Sequence, residues 1–207
     1  MVEFAVDLAK TALLVIDMQN VFVSEGYAFC APKGRDLVQR LTPLLARCRE
    51  RGLPLIYTAH VIRADGSNLG VLGKIHPATS QGALEQNSDS AAFYPALAPQ
   101  PGDILLEKPR YGAFHGTDLE IILRQRGIET VVISGIATNV CCDTTAREAT
   151  MRDFQVIFLA DGTECRDLPD LGYGPVSHEE LQRVTVTNLG RGFAQIMSIS
   201  QFLDLLG

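Results

Sequence analysis

Apolar and polar positions fall into alternating blocks along this chain, with the period changing from block to block. Residues 11–16 (TALLVI) form a short unbroken apolar run, the pattern of a strand buried on both faces. Over residues 36–51 the spacing becomes helical. Leu37, Leu41, Leu44, Leu45 and Cys48 share one face, and Gly52 stands where such a helix ends. Residues 53–58 predict a second strand and residues 104–107 a third. Residues 117–126 predict a helix with Thr117 as N-cap, Glu120 completing a capping box and Gly127 closing it. A fourth strand is expected at residues 130–134, breaking at Gly135 before a helix that begins near Asn139 and runs to about Asp153. Residues 155–160 predict a fifth strand, 178–189 a helix, 194–198 a sixth strand and 201–206 a closing helix. Residues 61–94 follow neither period and are rich in Gly, Ser and Asn. They are too long for a simple connection and are expected to cover a site.

Strands alternating with helices imply an α/β fold: a three-layer α-β-α, Rossmann-like arrangement with a parallel six-stranded sheet and helices on both faces. Residues 1–207 are expected to form a single domain. In such folds ligands bind beyond the carboxyl ends of the strands. Those ends carry Asp17, Glu107-Lys108, the turn around Cys141 and Asp161. A rim for chemistry is thus predicted from topology alone.

Composition narrows the classes. The chain is 46% hydrophobic and 20% charged, which is ordinary globular usage. A net charge of −6 and the lack of any Lys/Arg cluster give no footprint for nucleic acid. No apolar run approaches the roughly 18 residues of a membrane span, so no membrane partner is expected. Residues 1–10 carry two acids, one base and no signal-like apolar core, which makes the cytoplasm the expected location. Five irregularly spaced cysteines read as reduced thiols rather than a disulfide framework.

Among those thiols Cys141 has the most informative context. A strand-to-helix turn would place it in the first helical turn, where free N–H groups and the helix dipole favour an anion. A depressed thiol pKa, and so a nucleophile, is the expectation. Its neighbour Cys142 is turned by about 100° and aligns with Ala146 and Ala149, a small-residue stripe suited to packing on the sheet. Asp17, at the tip of an apolar strand, suits proton transfer. Read alone, it serves equally well as a cap of the next turn. Lys108 could stabilise a thiolate or hold a carboxylate ionised, and read alone is also an ordinary strand-closing lysine.

Taken together, "LLVIDMQN" at Asp17, "LLEKPRYGAF" at Lys108 and "SGIATNVCCDTTAREA" at Cys141 resemble the isochorismatase-like cysteine hydrolases, in the family's order. The resemblance runs from Thr11 to about Ser198. It implies a catalytic triad of Asp17, Lys108 and Cys141, and a cis peptide at Ile136–Ala137. The Ala137 and Cys141 N–H groups would then form an oxyanion hole. It also implies a homodimer or homotetramer, in which a neighbouring subunit could complete the pocket. Nicotinamidases of this family carry Asp-x-His with a second His nearby. The matching stretch around His60 has one histidine at the wrong spacing, so no metal and no other cofactor is expected. His60 reads instead as a hydrogen-bonded strand-end residue.

Several stretches look closest to the ureidoacrylate and biuret amidohydrolases, which implies a small amide or ureide substrate. Gln19, Arg110, Tyr111, Phe114 and Asn139 are candidate substrate-binding residues, with Arg110 offering a planar fork to a carboxylate or urea oxygen. Phe22 reads first as a core aromatic and is also a candidate wall residue. The alternatives are a nicotinamidase-like or isochorismatase-type hydrolase of the same fold, or a non-catalytic or thiol-redox protein using Cys141 and Cys142. Isochorismatases typically replace the cysteine, and redox chemistry would not require Asp17 or Lys108.

Overall fold

The computed structural model describes residues 2–207. In chain order its elements are β1 (Thr11–Ile16), α1 (Asn20–Val23), α2 (Gly34–Glu50), β2 (Leu55–His60), α3 (Leu72–Ile75), α4 (Pro77–Ser80), β3 (Ile104–Lys108) and α5 (Leu119–Gln125), followed by β4 (Thr130–Ile136), α6 (Asp143–Thr150), β5 (Gln155–Glu164), α7 (His178–Gly192), β6 (Gln195–Met197) and α8 (Ile199–Leu206). The strands pair in the order β3-β2-β1-β4-β5-β6, all parallel. The order reverses direction between β1 and β4, which opens a crevice beyond their carboxyl ends.

The unbroken apolar strands are explained by helices on both sides. Leu13 and Val15 of β1 face α2 and α8 in one apolar cluster with Leu41, Leu45 and Phe202. Ala12, Leu14 and Ile16 face α5, α6 and α7 in a second, with Leu123, Ala146 and Leu189. Successive strand residues point to opposite faces, so a strand covered twice must be apolar at every position. Cys142 is fully buried in the second cluster beside Ala146 and Ala149, as its stripe predicts.

Boundaries moved where local chemistry intervened. β2 starts at Leu55 because Pro54 has no N–H to give the ladder; its carbonyl instead accepts from Leu13 N–H at 3.0 Å. β4 does not break at Gly135 but continues to Ile136, and β5 extends to Glu164 after a register shift between Ile133 and Gly135. α5 begins at Leu119, and the expected Thr117–Glu120 capping box is not formed. Thr117 Oγ1 accepts from Leu119 N–H at 3.2 Å, while the Glu120 carboxylate accepts from Arg152 Nε at 3.2 Å. A full box closes the start of α8 instead, between Ser198 and Gln201. Asp161 lies inside β5 and accepts from Ile199 N–H at 2.7 Å, tying the same helix start to the sheet. Among the described residues no helix is long and apolar enough to cross a membrane.

Candidate active site

β1 and β4 meet in register, with Ile16 opposite Gly135. A Cβ at Gly135 would lie 2.0 Å from the Ile16 carbonyl oxygen, and the residue has φ +120°, so only glycine allows this approach. One residue on, Asp17 adopts φ +50°, a region rarely used by residues with a side chain. That turn is over-determined by its neighbours. Asp17 N–H donates to Thr58 O at 3.1 Å, the Thr58 hydroxyl donates to Asp17 Oδ1 at 2.7 Å, and Gln19 N–H donates to Asp17 O at 2.7 Å.

On the other side of the crevice the peptide Ile136–Ala137 is cis. The chain then forms a five-residue π-helical turn, Thr138–Cys142, ahead of α6. The Ala137 carbonyl accepts from both Val140 N–H (3.1 Å) and Cys142 N–H (3.0 Å), which fixes that turn. Cys141 therefore precedes the α-helix instead of opening its first turn. Its carbonyl accepts from the Thr145 hydroxyl at 2.7 Å, and that hydroxyl accepts from Ala113 N–H at 3.1 Å. This relay anchors the loop after β3 to the cysteine turn.

Lys108, at the end of β3, closes the group. Its side chain and that of Asp17 are both 0% exposed, and Nζ lies 2.7 Å from Asp17 Oδ2. The contact is an ion pair by distance, with the ammonium off the line of a directed hydrogen bond to Oδ2. Nζ also donates to Arg110 O at 2.9 Å and to Cys141 Sγ at 3.5 Å. The ammonium thus donates two hydrogen bonds and makes one close ionic contact. Burial works against the charge, but the Asp17 carboxylate and the Cys141 sulfur outweigh it and hold Lys108 above the ordinary lysine range.

The expected acidity of Cys141 is not what the structure shows. Its pKa is pushed up to about 12, first by burial and further by Asp17, against the lowering effect of Lys108. The side chain sits inside the protein, at 4% exposure, so the cost of desolvating a thiolate exceeds what a helix start could return. The resting group is a thiol flanked by a ready-made carboxylate and ammonium.

A cavity of about 150 Å³ opens onto Cys141. Ile136, Ala137, Asn139 and Val140 form its floor, and Phe22 and Phe29 one wall. Leu72, His76, Thr79 and Leu84 roof it, so the irregular stretch 61–94 does cover the site, through α3 and α4. Phe22 is both wall and core, at 9% exposure. Tyr111 lines the cavity, its hydroxyl 3.2 Å from His76 Nε2.

Three candidate binding residues lie elsewhere. Phe114 is buried in the α5/α6 cluster, 5.8 Å from the Phe154 ring, because its N–H is held by Glu148 at 3.1 Å. Arg110 turns away from the cavity, its Nη1 donating to Asn68 O at 2.7 Å. Gln19 is fully buried behind the cavity wall. Its Oε1 accepts from His60 N–H at 2.8 Å, and its Nε2 donates to His60 O (3.1 Å) and Ala91 O (2.7 Å). It clamps the main chain of residue 60.

Among the lining residues that the sequence reading did not assign to the pocket, two carry polar chemistry of particular interest. Arg166, just past β5, brings a guanidinium to the cavity and donates to Ala28 O at 2.9 Å. Its position after a strand end was the available signal. His60 ends β2, and its expected hydrogen bond is missing at Nε2, which is buried without a partner. Asp17, His60 and Cys141 each offer one ligand atom, all within 4.8 Å of one another. The Lys108 ammonium competes with a cation there, since it already contacts Asp17 and Cys141.

Comparison with known proteins identifies the family and the fold. The Isochorismatase domain family matches residues 11–198. Ureidoacrylate amidohydrolase RutB of Methylobacterium radiotolerans is 32% identical over 98% of this chain and 82% of its own length. The protein of that name from Methylorubrum extorquens strain AM1 is 33% identical over 85% of this chain and 78% of its own. A cysteine hydrolase from Pseudomonas syringae pv. phaseolicola 1448A superimposes with a TM-score of 0.96 at 34% identity, covering 99% of this chain and 96% of the other. With the match running from the first strand to the last and the sheet shared throughout, the chain belongs to the isochorismatase family of hydrolases.

Proposed function

We propose that this hydrolase is a cysteine-dependent amidohydrolase that cleaves a C–N bond of a small ureide, carbamoyl or primary amide substrate through a thioester, with Asp17, Lys108 and Cys141 as its catalytic residues. The carrying observation is the buried Lys108 ammonium, in contact with both the Asp17 carboxylate and the Cys141 sulfur. A resting thiol beside a carboxylate avoids a standing buried thiolate and lets the proton move only as sulfur attacks.

Asp17 takes the thiol proton as Sγ bonds to the substrate carbonyl carbon, and the Lys108 ammonium meets the charge leaving sulfur. The oxyanion is received by the N–H groups of Ala137 and Cys141, two residues that line the cavity. Asp17 then gives its proton to the leaving nitrogen, the C–N bond breaks, and ammonia or an amine departs. Water gives a proton to Asp17 and adds to the thioester. The C–S bond breaks, and sulfur recovers its proton. The RutB relatives are named for an amidohydrolase acting on ureidoacrylate, and a cavity of about 150 Å³ suits a substrate of that size class. Tyr111 and Asn139 are the candidate binding residues that line it.

The test is ammonia release from a panel of ureidoacrylate, biuret, N-carbamoyl amino acids, nicotinamide and short amides, with and without chelator. Release that resists chelator and vanishes in Cys141→Ala is the expected result. Silence across the panel, with no selective alkylation of Cys141, refutes the proposal.

A further inference from the structure

His60 is 3% exposed and lines the cavity beside Cys141, yet its Nε2 is buried with no hydrogen-bond partner among the described residues. Leaving a buried polar atom unpaired is costly, and native proteins seldom do so unless a ligand completes the bond. Everything else about the residue is held. Gln19 grips its backbone N–H and carbonyl, and the ring packs edge-on against Tyr111 with centroids 6.2 Å apart. The Pro109 main chain favours a proton on the ring, and with Nε2 unpaired we place that proton on Nδ1. Nε2 is then a bare acceptor. Burial, followed by the Lys108 charge, holds the ring well below the ordinary histidine pKa, so it stays neutral near pH 7.

A ring nitrogen of His60, the Cys141 sulfur and an Asp17 oxygen lie within 4.8 Å of one another, and Nε2 is the ring nitrogen left unpaired. That triangle can hold the carbon and nitrogen of a planar amide, with sulfur facing the carbon. Resting on the proposed function, we infer that His60 is a specificity-determining residue whose Nε2 accepts a hydrogen bond from an N–H on the nitrogen of the scissile bond. The site thereby selects substrates with NH₂ at the reactive carbon over counterparts carrying oxygen there. An oxygen substituent offers no proton and leaves the imidazole lone pair unmatched, and such a mismatch discriminates strongly.

The experiment compares wild type, His60→Leu and His60→Gln on biuret, N-carbamoylglycine and propionamide. Each is paired with the counterpart in which OCH₃ replaces the terminal NH₂. In His60→Leu, kcat/KM on the NH₂ probes is expected to fall about 10- to 100-fold, and on the OCH₃ probes less than about threefold. His60→Gln, which restores an acceptor, is expected to recover most of the loss. Both variants leave the Gln19 bonds in place because those bonds go to main-chain atoms. Equal losses on both probe sets would mean that the ring serves the nucleophile or the carbonyl oxygen, and would overturn the inference. So would an undiminished rate on the NH₂ probes. Wild-type silence on every amide tested, with Cys141 unlabelled, instead removes the proposed function and this inference with it.

Discussion

Replacing Lys108 by Met isolates what the buried ion pair contributes. The substitution keeps length and volume but deletes a charge that is 0% exposed and 2.7 Å from a carboxylate that is also 0% exposed. Removing one partner of such a pair leaves the other uncompensated, at a cost of about 3–5 kcal/mol. For a domain of this size that lowers Tm by about 6–20 °C. The second arm is Lys108→Met combined with Asp17→Asn, which removes both charges. The double variant still leaves the Arg110 carbonyl without its 2.9 Å donor, a loss of about 1–3 kcal/mol. It is therefore expected to be about 2 kcal/mol more stable than Lys108→Met alone. Urea unfolding followed by circular dichroism, at pH 7 and constant salt, measures all four corners of the cycle. Both single variants should also lose ammonia release. A Lys108→Met variant within about 1 kcal/mol of wild type, or a double variant no more stable than the single, would refute a buried, mutually dependent pair.

Three further outcomes are expected. Cys48, Cys141 and Cys165 have pKa values pushed up to about 12 from an ordinary 9.0, and Cys142 stands well above that value, all chiefly through burial. Above pH 9 the unfolded chain releases these protons and the folded chain keeps them, so stability falls as pH rises from about 9 toward 12. Each thiol contributes up to about 1.4 kcal/mol per pH unit. A urea midpoint unchanged between pH 7.5 and pH 10 would contradict this. Gly135→Ala forces a Cβ to within 2.0 Å of the Ile16 carbonyl and is expected to cost about 3 kcal/mol or more. Thermal unfolding checks it, and a wild-type Tm would show that the strands are not so closely apposed. Gln19→Ala releases the backbone of residue 60 and is expected to lower kcat/KM about 10- to 100-fold; unaltered kinetics would deny the clamp.

Much of the scaffold was legible because it depends on short-range pattern. The run TALLVI marks β1 since a strand covered on both faces admits no polar break, and the Cys142–Ala146–Ala149 stripe marks the packed face of α6. Asp17, Lys108 and Cys141 could be placed on one rim because each lies at or beyond a strand's carboxyl end, and the structure brings them into contact. The acidity of Cys141 could not be read the same way. A helix start is a local feature, but the burial that outweighs it is assembled from several elements. Phe114, Arg110 and Gln19 were misplaced for a related reason. Their directions are set by Glu148, Asn68 and the His60 main chain, all distant in sequence. His60 was underrated because only the assembled crevice shows that its outer nitrogen is left without company.

The cavity has two kinds of wall, and the difference bears on how its preferences can be altered. His60, Ile136 and Ala137 sit on or next to strand ends whose spacing is fixed by the sheet ladder, and Cys141 on the turn that directly follows β4. Leu72, His76, Thr79 and Leu84 hang from a stretch that contributes no strand, and Leu168 from the connection between β5 and α7. Retuning the chemistry means disturbing neighbouring strands, which a Cβ at Gly135 already forbids. Retuning the preference means only exchanging roof segments. The architecture thus behaves as a fixed reaction bench with interchangeable covers, and grafting residues 61–94 from a relative is the economical route to a new specificity.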